Sequence, residues 1–163
     1  MIFTESNELP VILQGKTFTD DRGILKTIND FNLEKFNIKR FYIVKNFKSE
    51  FIRAWHGHKF AKTFVMCLKG SAIIACTKII EVNVESLALE TKTTKKFTLT
   101  AEAEPNVLYI PNGYANGFVN LTDNTELMFF SDLTIEQIKE VNDDIRWNWN
   151  ILGEEIWETN NFR

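Results

Sequence analysis

From Pro10 to Phe130 the chain is a run of short β-like segments, each closed by turn residues, and this punctuation is what most restricts its fold. Pro10 to Phe18 reads as strand and ends in Thr19-Asp20-Asp21-Arg22-Gly23, where Asp and Gly supply turn chemistry and display Arg22 on a loop. Ile24 to Ile28 alternates apolar with polar residues, and Ile38 to Val44 and Phe51 to His58 follow as strands. Thr63 to Leu68 and Ala72 to Ile80, joined by Lys69-Gly70-Ser71, read as a hairpin. Val82 to Glu90, Lys95 to Leu99, Val107 to Pro111, Phe118 to Leu121 and Glu126 to Phe130 complete the series, with Asn112-Gly113 a strong turn signal. Only Thr134 to Asn142 carries helical spacing, and Thr134-Ile-Glu-Gln137 resembles a capping box. Many short strands with one late helix predict an all-β sandwich or barrel. No repeat, low-complexity tract or linker interrupts residues 1–163, so a single domain is expected.

Composition bounds the partners. With 19 basic and 22 acidic side chains the formal net charge is -3, too weak a field to predict nucleic acid or an anionic membrane as a partner. No apolar run reaches the roughly 18 residues of a membrane span. The start, Met1 to Glu5, has no charged-then-apolar leader pattern, so a cytoplasmic location is expected. Fourteen Phe and four Trp fit a β-rich core or a subunit interface. Cys67 and Cys76, each within an apolar run, read as small hydrophobes rather than a disulfide.

The candidate chemistry concentrates in Arg53-Ala-Trp-His-Gly-His-Lys59, which holds both histidines. On a strand, residues two apart share a face, so His56 and His58 are expected side by side. Imidazole changes charge near neutral pH, which makes the pair a candidate proton shuttle or half of a metal site. The same alternation puts Arg53 on the opposite face, and a β-bulge is required for Arg53 and His56 to serve one site.

Two segments resemble the paired motifs of the cupins: the His-x-His stretch with Gly70 downstream, and Pro111-Asn-Gly-Tyr-Ala-Asn-Gly-Phe-Val-Asn120. That resemblance implies a jelly-roll barrel with a short C-terminal helix. The remaining metal-ligand positions of metal-binding cupins hold Lys62 and Asn116 here. An ammonium offers no lone pair and an amide is a poor substitute for imidazole, so no metal is expected. No cofactor is implied either.

A narrower likeness covers about Phe18 to Asn148. Asn37-Ile-Lys-Arg-Phe-Tyr42, Arg53 to Lys59 and Cys67-Leu-Lys-Gly-Ser71 resemble sugar-nucleotide 3,4-ketoisomerases. Phe18 to Gly23, Leu108 to Phe118 and Ile145-Arg-Trp-Asn148 resemble the related dTDP-4-dehydrorhamnose 3,5-epimerases. The resemblance implies a homodimer acting on a nucleotide-linked 4-keto-6-deoxyhexose, with the Phe18 to Gly23 segment reaching toward the partner subunit. It implies His56 as the base that removes the proton beside the ketone, and His58 as a relay or carbonyl-polarising group. Arg22 and Arg53 match arginines that bind the nucleotide or its phosphates, Tyr42 is placed to hydrogen-bond the sugar, and Lys62 and Asn116 are further substrate-binding candidates.

The departures shape the reaction expected. Phe129 aligns with the epimerase tyrosine that protonates the far face of the sugar, and phenylalanine has no proton to give. Thr63 aligns with the epimerase lysine, with Lys62 adjacent, and the acidic partner of the epimerase histidine falls in a C-terminal stretch with no counterpart here. A 3,4-ketoisomerase, which needs proton transfer on one face only, is therefore the first expectation. The alternatives are an epimerase with another acid, Tyr114 or a water, and a non-catalytic nucleotide-sugar-binding cupin, since a fold does not fix an activity.

Overall fold

The computed structural model describes residues 6–159. Twelve strands run β1 (Val11–Gln14), β2 (Lys16–Asp20), β3 (Gly23–Thr27), β4 (Arg40–Asn46), β5 (Ile52–His58), β6 (Thr63–Lys69), β7 (Ser71–Asn83), β8 (Ser86–Thr100), β9 (Asn106–Ile110), β10 (Tyr114–Asn120), β11 (Thr125–Ser131) and β12 (Ile145–Arg146). One helix, α1 (Ile135–Glu140), lies between β11 and β12. Two five-stranded antiparallel sheets, ordered β1-β9-β6-β11-β4 and β12-β5-β10-β7-β8, face each other, while β2 and β3 pair only with one another. This is the cupin-like jelly roll with a short C-terminal helix that the sequence predicts.

Alternation explains which side chains fill the space between the sheets. Val65 of β6, Leu127 and Phe129 of β11, Ile74 and Cys76 of β7, and Tyr114 and Phe118 of β10 form the central core, nearly all of it sealed from solvent. Intervening residues face outward and find other cover. Phe64, Tyr109 and Phe130 on the outer face of the first sheet are covered by Phe31 and Phe36 from the loop before β4. On the second sheet Trp55, Ile79, Ala115 and Val119 pack under Trp147 and Trp157 of the C-terminal segment. Gly57 is part of that fit, because a Cβ there would lie 2.6 Å from the Trp147 ring.

Several expected boundaries shift. Val82 does not begin a new strand: β7 runs on to Asn83, whose side-chain oxygen accepts the Glu85 N–H and turns the chain. Beyond the turn, β8 continues for 15 residues through the Thr/Lys-rich stretch expected to divide it. There β7 slips register between Cys76 and Lys78, and the Thr93 hydroxyl accepts the Lys78 N–H, so a bulge absorbs the irregularity. Expected from Phe118, β10 instead begins at Tyr114, directly after the Asn112-Gly113 turn, and Gly113 adopts φ of 80° there.

The helix starts as expected. The Thr134 hydroxyl accepts the Gln137 N–H at 3.2 Å and the Gln137 side chain accepts the Thr134 N–H at 3.1 Å. Ile138 is the buried anchor of α1, so its neighbours Ile135 and Lys139 are held over one mouth of the barrel.

Candidate active site

At that mouth lies a cavity of about 580 Å³, walled by β4, β5, β6, β10, β11, α1 and the segment leading into β12. His56 and His58 both line it, as their spacing predicts, while Trp55 and Gly57 turn to the outer packing layer. Arg53 lines it too. Between Asn116/His56 and Phe118/Arg53, two steps on β10 match three on β5, which is the bulge needed to bring Arg53 onto the histidine face. The Arg53 Nε donates to the Asn46 side-chain oxygen at 2.7 Å.

The environments of the two histidines differ. His56 is held below the ordinary imidazole value, first by burial and then by the Arg146 guanidinium, with Asp144 opposing. Arg146 stands opposite His56 in the β12–β5 register and makes two bonds to the Asp144 carboxylate, at 3.0 and 3.3 Å. That pairing holds the Asp144 carboxyl below its usual range. His58 is tied instead to Asp143, with Nδ1 at 2.5 Å from its main-chain oxygen and 3.6 Å from its carboxylate.

Across the cavity, Tyr42 stacks on Phe129, ring centroids 5.2 Å apart, with the Arg40 guanidinium 4.9 Å from the tyrosine ring. Burial pushes the Tyr42 hydroxyl up, so it stays protonated through the neutral range. Thr63 of β6 completes that wall, while Asn116 and Phe118 of β10 line the histidine side, Asn116 in register with His56. Arg40, Arg53, Lys139 and Arg146 give the cavity four cationic groups, against the single carboxylate of Asp144 among its lining residues. Guanidinium forks of this kind match phosphate oxygens.

Five of the seven expected site residues thus converge: His56, His58, Arg53, Tyr42 and Asn116. Lys62 does not. It precedes Thr63, which takes the inward position, and its main-chain N–H donates to the Asp132 carboxylate at 2.8 Å. Nor does Arg22 enter the cavity of its own chain; it sits on the exposed β2–β3 turn, paired to Asp20 at 2.5 Å. Tyr114, weighed as an alternative acid, is buried in the central core rather than in the cavity wall.

Arg40, Lys139, Asp143, Asp144 and Arg146 were not singled out from the sequence. Arg40 and Arg146 carried a signal, Arg40 two residues from Tyr42 on one strand and Arg146 inside the Ile145-Arg-Trp-Asn148 motif. The others depend on how the chain folds back after α1. Asp143 and Asp144 bring carboxylates to the histidines from the turn before β12.

The metal set of metal-binding cupins does not fit. Two imidazoles, an amide at Asn116 and a lysine that does not line the cavity leave too few donors, and among the described residues no three His, Cys, Asp or Glu side chains cluster. No helix among the described residues is long and apolar enough to cross a membrane.

A family model described as dTDP-4-dehydrorhamnose 3,5-epimerase matches residues 8–158. No curated protein matches the chain. Among solved structures, the dTDP-4-dehydrorhamnose 3,5-epimerase of Bacillus anthracis str. Ames, with TDP and PPi bound, is similar over 98% of this chain and 91% of its own, with TM-score 0.68 and 19% identity. A mutant of the 3,4-ketoisomerase QdtA from Thermoanaerobacterium thermosaccharolyticum, in complex with TDP-4-keto-6-deoxyglucose, is similar over 90% of this chain and 92% of its own, with TM-score 0.61 and 20% identity. The TDP-quinovose 3,4-ketoisomerase WlaRB of Campylobacter jejuni is similar over 88% and 95%, with TM-score 0.63 and 22% identity. At these identities the likeness is one of fold.

Proposed function

We propose, from the premise that the chain belongs to the dTDP-4-dehydrorhamnose 3,5-epimerase family of isomerases, that it is a 3,4-ketoisomerase acting on a nucleotide-linked, dTDP-type 4-keto-6-deoxyhexose. The observation that carries this reading is an asymmetry across the cavity. One wall holds two imidazoles, and on the facing wall the β11 position holds Phe129, which has no acidic proton, leaving the stacked Tyr42 as the one phenol there.

The chemistry follows from the side chains. A proton on the carbon beside a ketone is acidic enough for a positioned neutral imidazole to take. His56 is that base, kept neutral by burial and by Arg146. Removing the C3 proton of a 4-ketosugar gives a 3,4-enediolate, whose negative charge the cavity cations stabilise. A proton returned to C4 on the same face, with the hydroxyl hydrogen of O3 passing to O4, leaves the ketone at C3 and a hydroxyl at C4. His58 relays the proton between the two carbons. Arg53, Arg40, Lys139 and Arg146 are available for the diphosphate, and Asn116 and Tyr42 for sugar hydroxyls.

The same reading makes the protein a homodimer. Phe18, Ile24 and Leu25 of the β2–β3 ribbon are 55%, 68% and 61% exposed, and Phe41 and Ile43 on the outer face of edge strand β4 are 62% and 53% exposed. Apolar surface of that extent calls for a partner. In such a dimer Arg22, outside its own cavity, reaches the partner's nucleotide.

The test is to incubate the protein with dTDP-4-keto-6-deoxyglucose and locate the ketone by NMR. A product with the ketone at C3 supports the ketoisomerase. A product with the ketone still at C4 and C3 or C5 inverted supports an epimerase, and binding without conversion supports a nucleotide-sugar-binding cupin.

A further inference from the structure

The contact between His58 and Asp143 does more than anchor a side chain. The Asp143 carboxylate is wholly buried and accepts the main-chain N–H groups of Lys59 at 2.6 Å, Phe60 at 3.2 Å and Ala61 at 2.9 Å. It therefore clamps the turn that leaves β5 immediately after His58. The clamp brings the Asp143 carbonyl to His58 Nδ1, at 2.5 Å. A carbonyl oxygen can only accept, so Nδ1 must carry the hydrogen in the neutral ring.

We propose that Asp143 is a positioning residue that fixes His58 as its Nδ1–H tautomer and leaves Nε2 as the bare nitrogen through which His58 exchanges protons in the cavity. The backbone carbonyl selects the tautomer, and the carboxylate, by gripping residues 59–61, holds that carbonyl in place. With Nδ1 occupied, neutral His58 can take a proton only at Nε2. The ring is then a relay that receives before it gives. A carboxylate 3.6 Å from Nδ1 faces the imidazolium formed at that moment, so the charge arises next to a counter-ion. Among the described residues no main-chain carbonyl is bonded to the ring of His56, one step along the same face, and Arg146 opposes it instead.

This assignment rests on the proposed sugar site for its purpose, yet its test uses no sugar. The chain has two histidines, so an untagged 15N-labelled sample gives two imidazole patterns, and His58→Asn identifies which is which. Two-bond 1H–15N correlations at about pH 8.5, above the ordinary imidazole value, are expected to show His58 with a protonated Nδ1 and a bare Nε2. An Nε2–H form, or a rapidly exchanging mixture, would overturn the assignment. Solvent exchange of the Lys59, Phe60 and Ala61 amides reads the clamp in the unaltered protein, where protection is expected and unprotected amides would contradict it. Asp143→Asn, confirmed folded by circular dichroism, should turn the single His58 tautomer into a mixture, and a pure Nδ1–H form there would remove the carboxylate's part. A chain that shows this tautomer but converts no ketosugar would sink the proposed reaction and leave the positioning role standing.

Discussion

Tyr42 and Phe129 lie in register on neighbouring strands with their rings 5° from parallel and centroids 5.2 Å apart. The wall facing the histidines is thus a stacked aromatic pair in which only the tyrosine carries a hydroxyl. Stacking fixes both rings without using any polar group. A hydroxyl added at position 129 would extend from a ring already held in place.

Phe129→Tyr is accordingly expected to fold normally and to add exchange at C5, with inverted product, to any exchange at C3. Proton NMR of the sugar product after incubation in heavy water is the check. Unchanged exchange at C5 would show that position 129 does not decide between the two reactions.

Replacing His56 by Asn should lower C3 exchange by about 10²- to 10⁴-fold, the usual worth of a general base. Nucleotide affinity should change little, because it is carried by the cationic groups of the cavity. Calorimetric titration with dTDP beside the exchange assay separates the outcomes. Full exchange in the variant would place the base elsewhere, and lost dTDP binding would make His56 a binding residue.

The pH profile follows from the sign of the His56 shift. Its folded-state value lies below the ordinary imidazole value of about 6.5. The base form therefore persists to lower pH than in a free histidine, and the acid limb of kcat/KM should fall below pH ~6.5. Stability moves in the same direction. As pH drops below about 6.5 the unfolded chain binds a proton that the folded site resists, so this contribution is intact above that pH and is lost on acidification. A kcat/KM midpoint above about 6.5 would contradict the burial argument.

Much of this site could be read before the fold was known, for a physical reason. Period-two alternation assigns faces, so His56 and His58 emerge together, and the same rule exposed the conflict with Arg53 that the bulge in β5 resolves. Alternation also explains why the expected Lys62 stays out, since the inward place falls to its neighbour Thr63. What the pattern could not supply was the far wall. β12 has two residues, too few to carry any period, and only its pairing with Gly57 and His56 gives it a position. Asp143, Asp144 and Arg146 reach the site through that return of the chain and Lys139 through the packing of α1 over the mouth, and nothing in their spacing announces it.

Gly57 offers a test of the outer packing layer that leaves the cavity side chains untouched. A methyl group at this position would meet Trp147 at 2.6 Å and Ile79 at 2.8 Å. Gly57→Ala should cost about 1–3 kcal/mol in urea denaturation, the range for an overpacked site. Unchanged stability would mean that the Trp147 ring moves aside freely.

Association should depend on the apolar outer face of β4. Sedimentation at micromolar concentration is expected to give a dimer, and Phe41→Glu to shift it toward monomer. A monomer in the unaltered protein would contradict the dimer reading and leave Arg22 without a site.

The most direct measurement is the fate of solvent hydrogen during turnover. The protein is incubated in heavy water with dTDP-4-keto-6-deoxyglucose, and deuterium and ketone are followed together by NMR. A one-face proton transfer by the His56 and His58 pair predicts a C3 ketone, with solvent deuterium entering at C4 of the product and at C3 of recovered substrate, and none at C5. Deuterium at both C3 and C5 with the ketone still at C4 would contradict it.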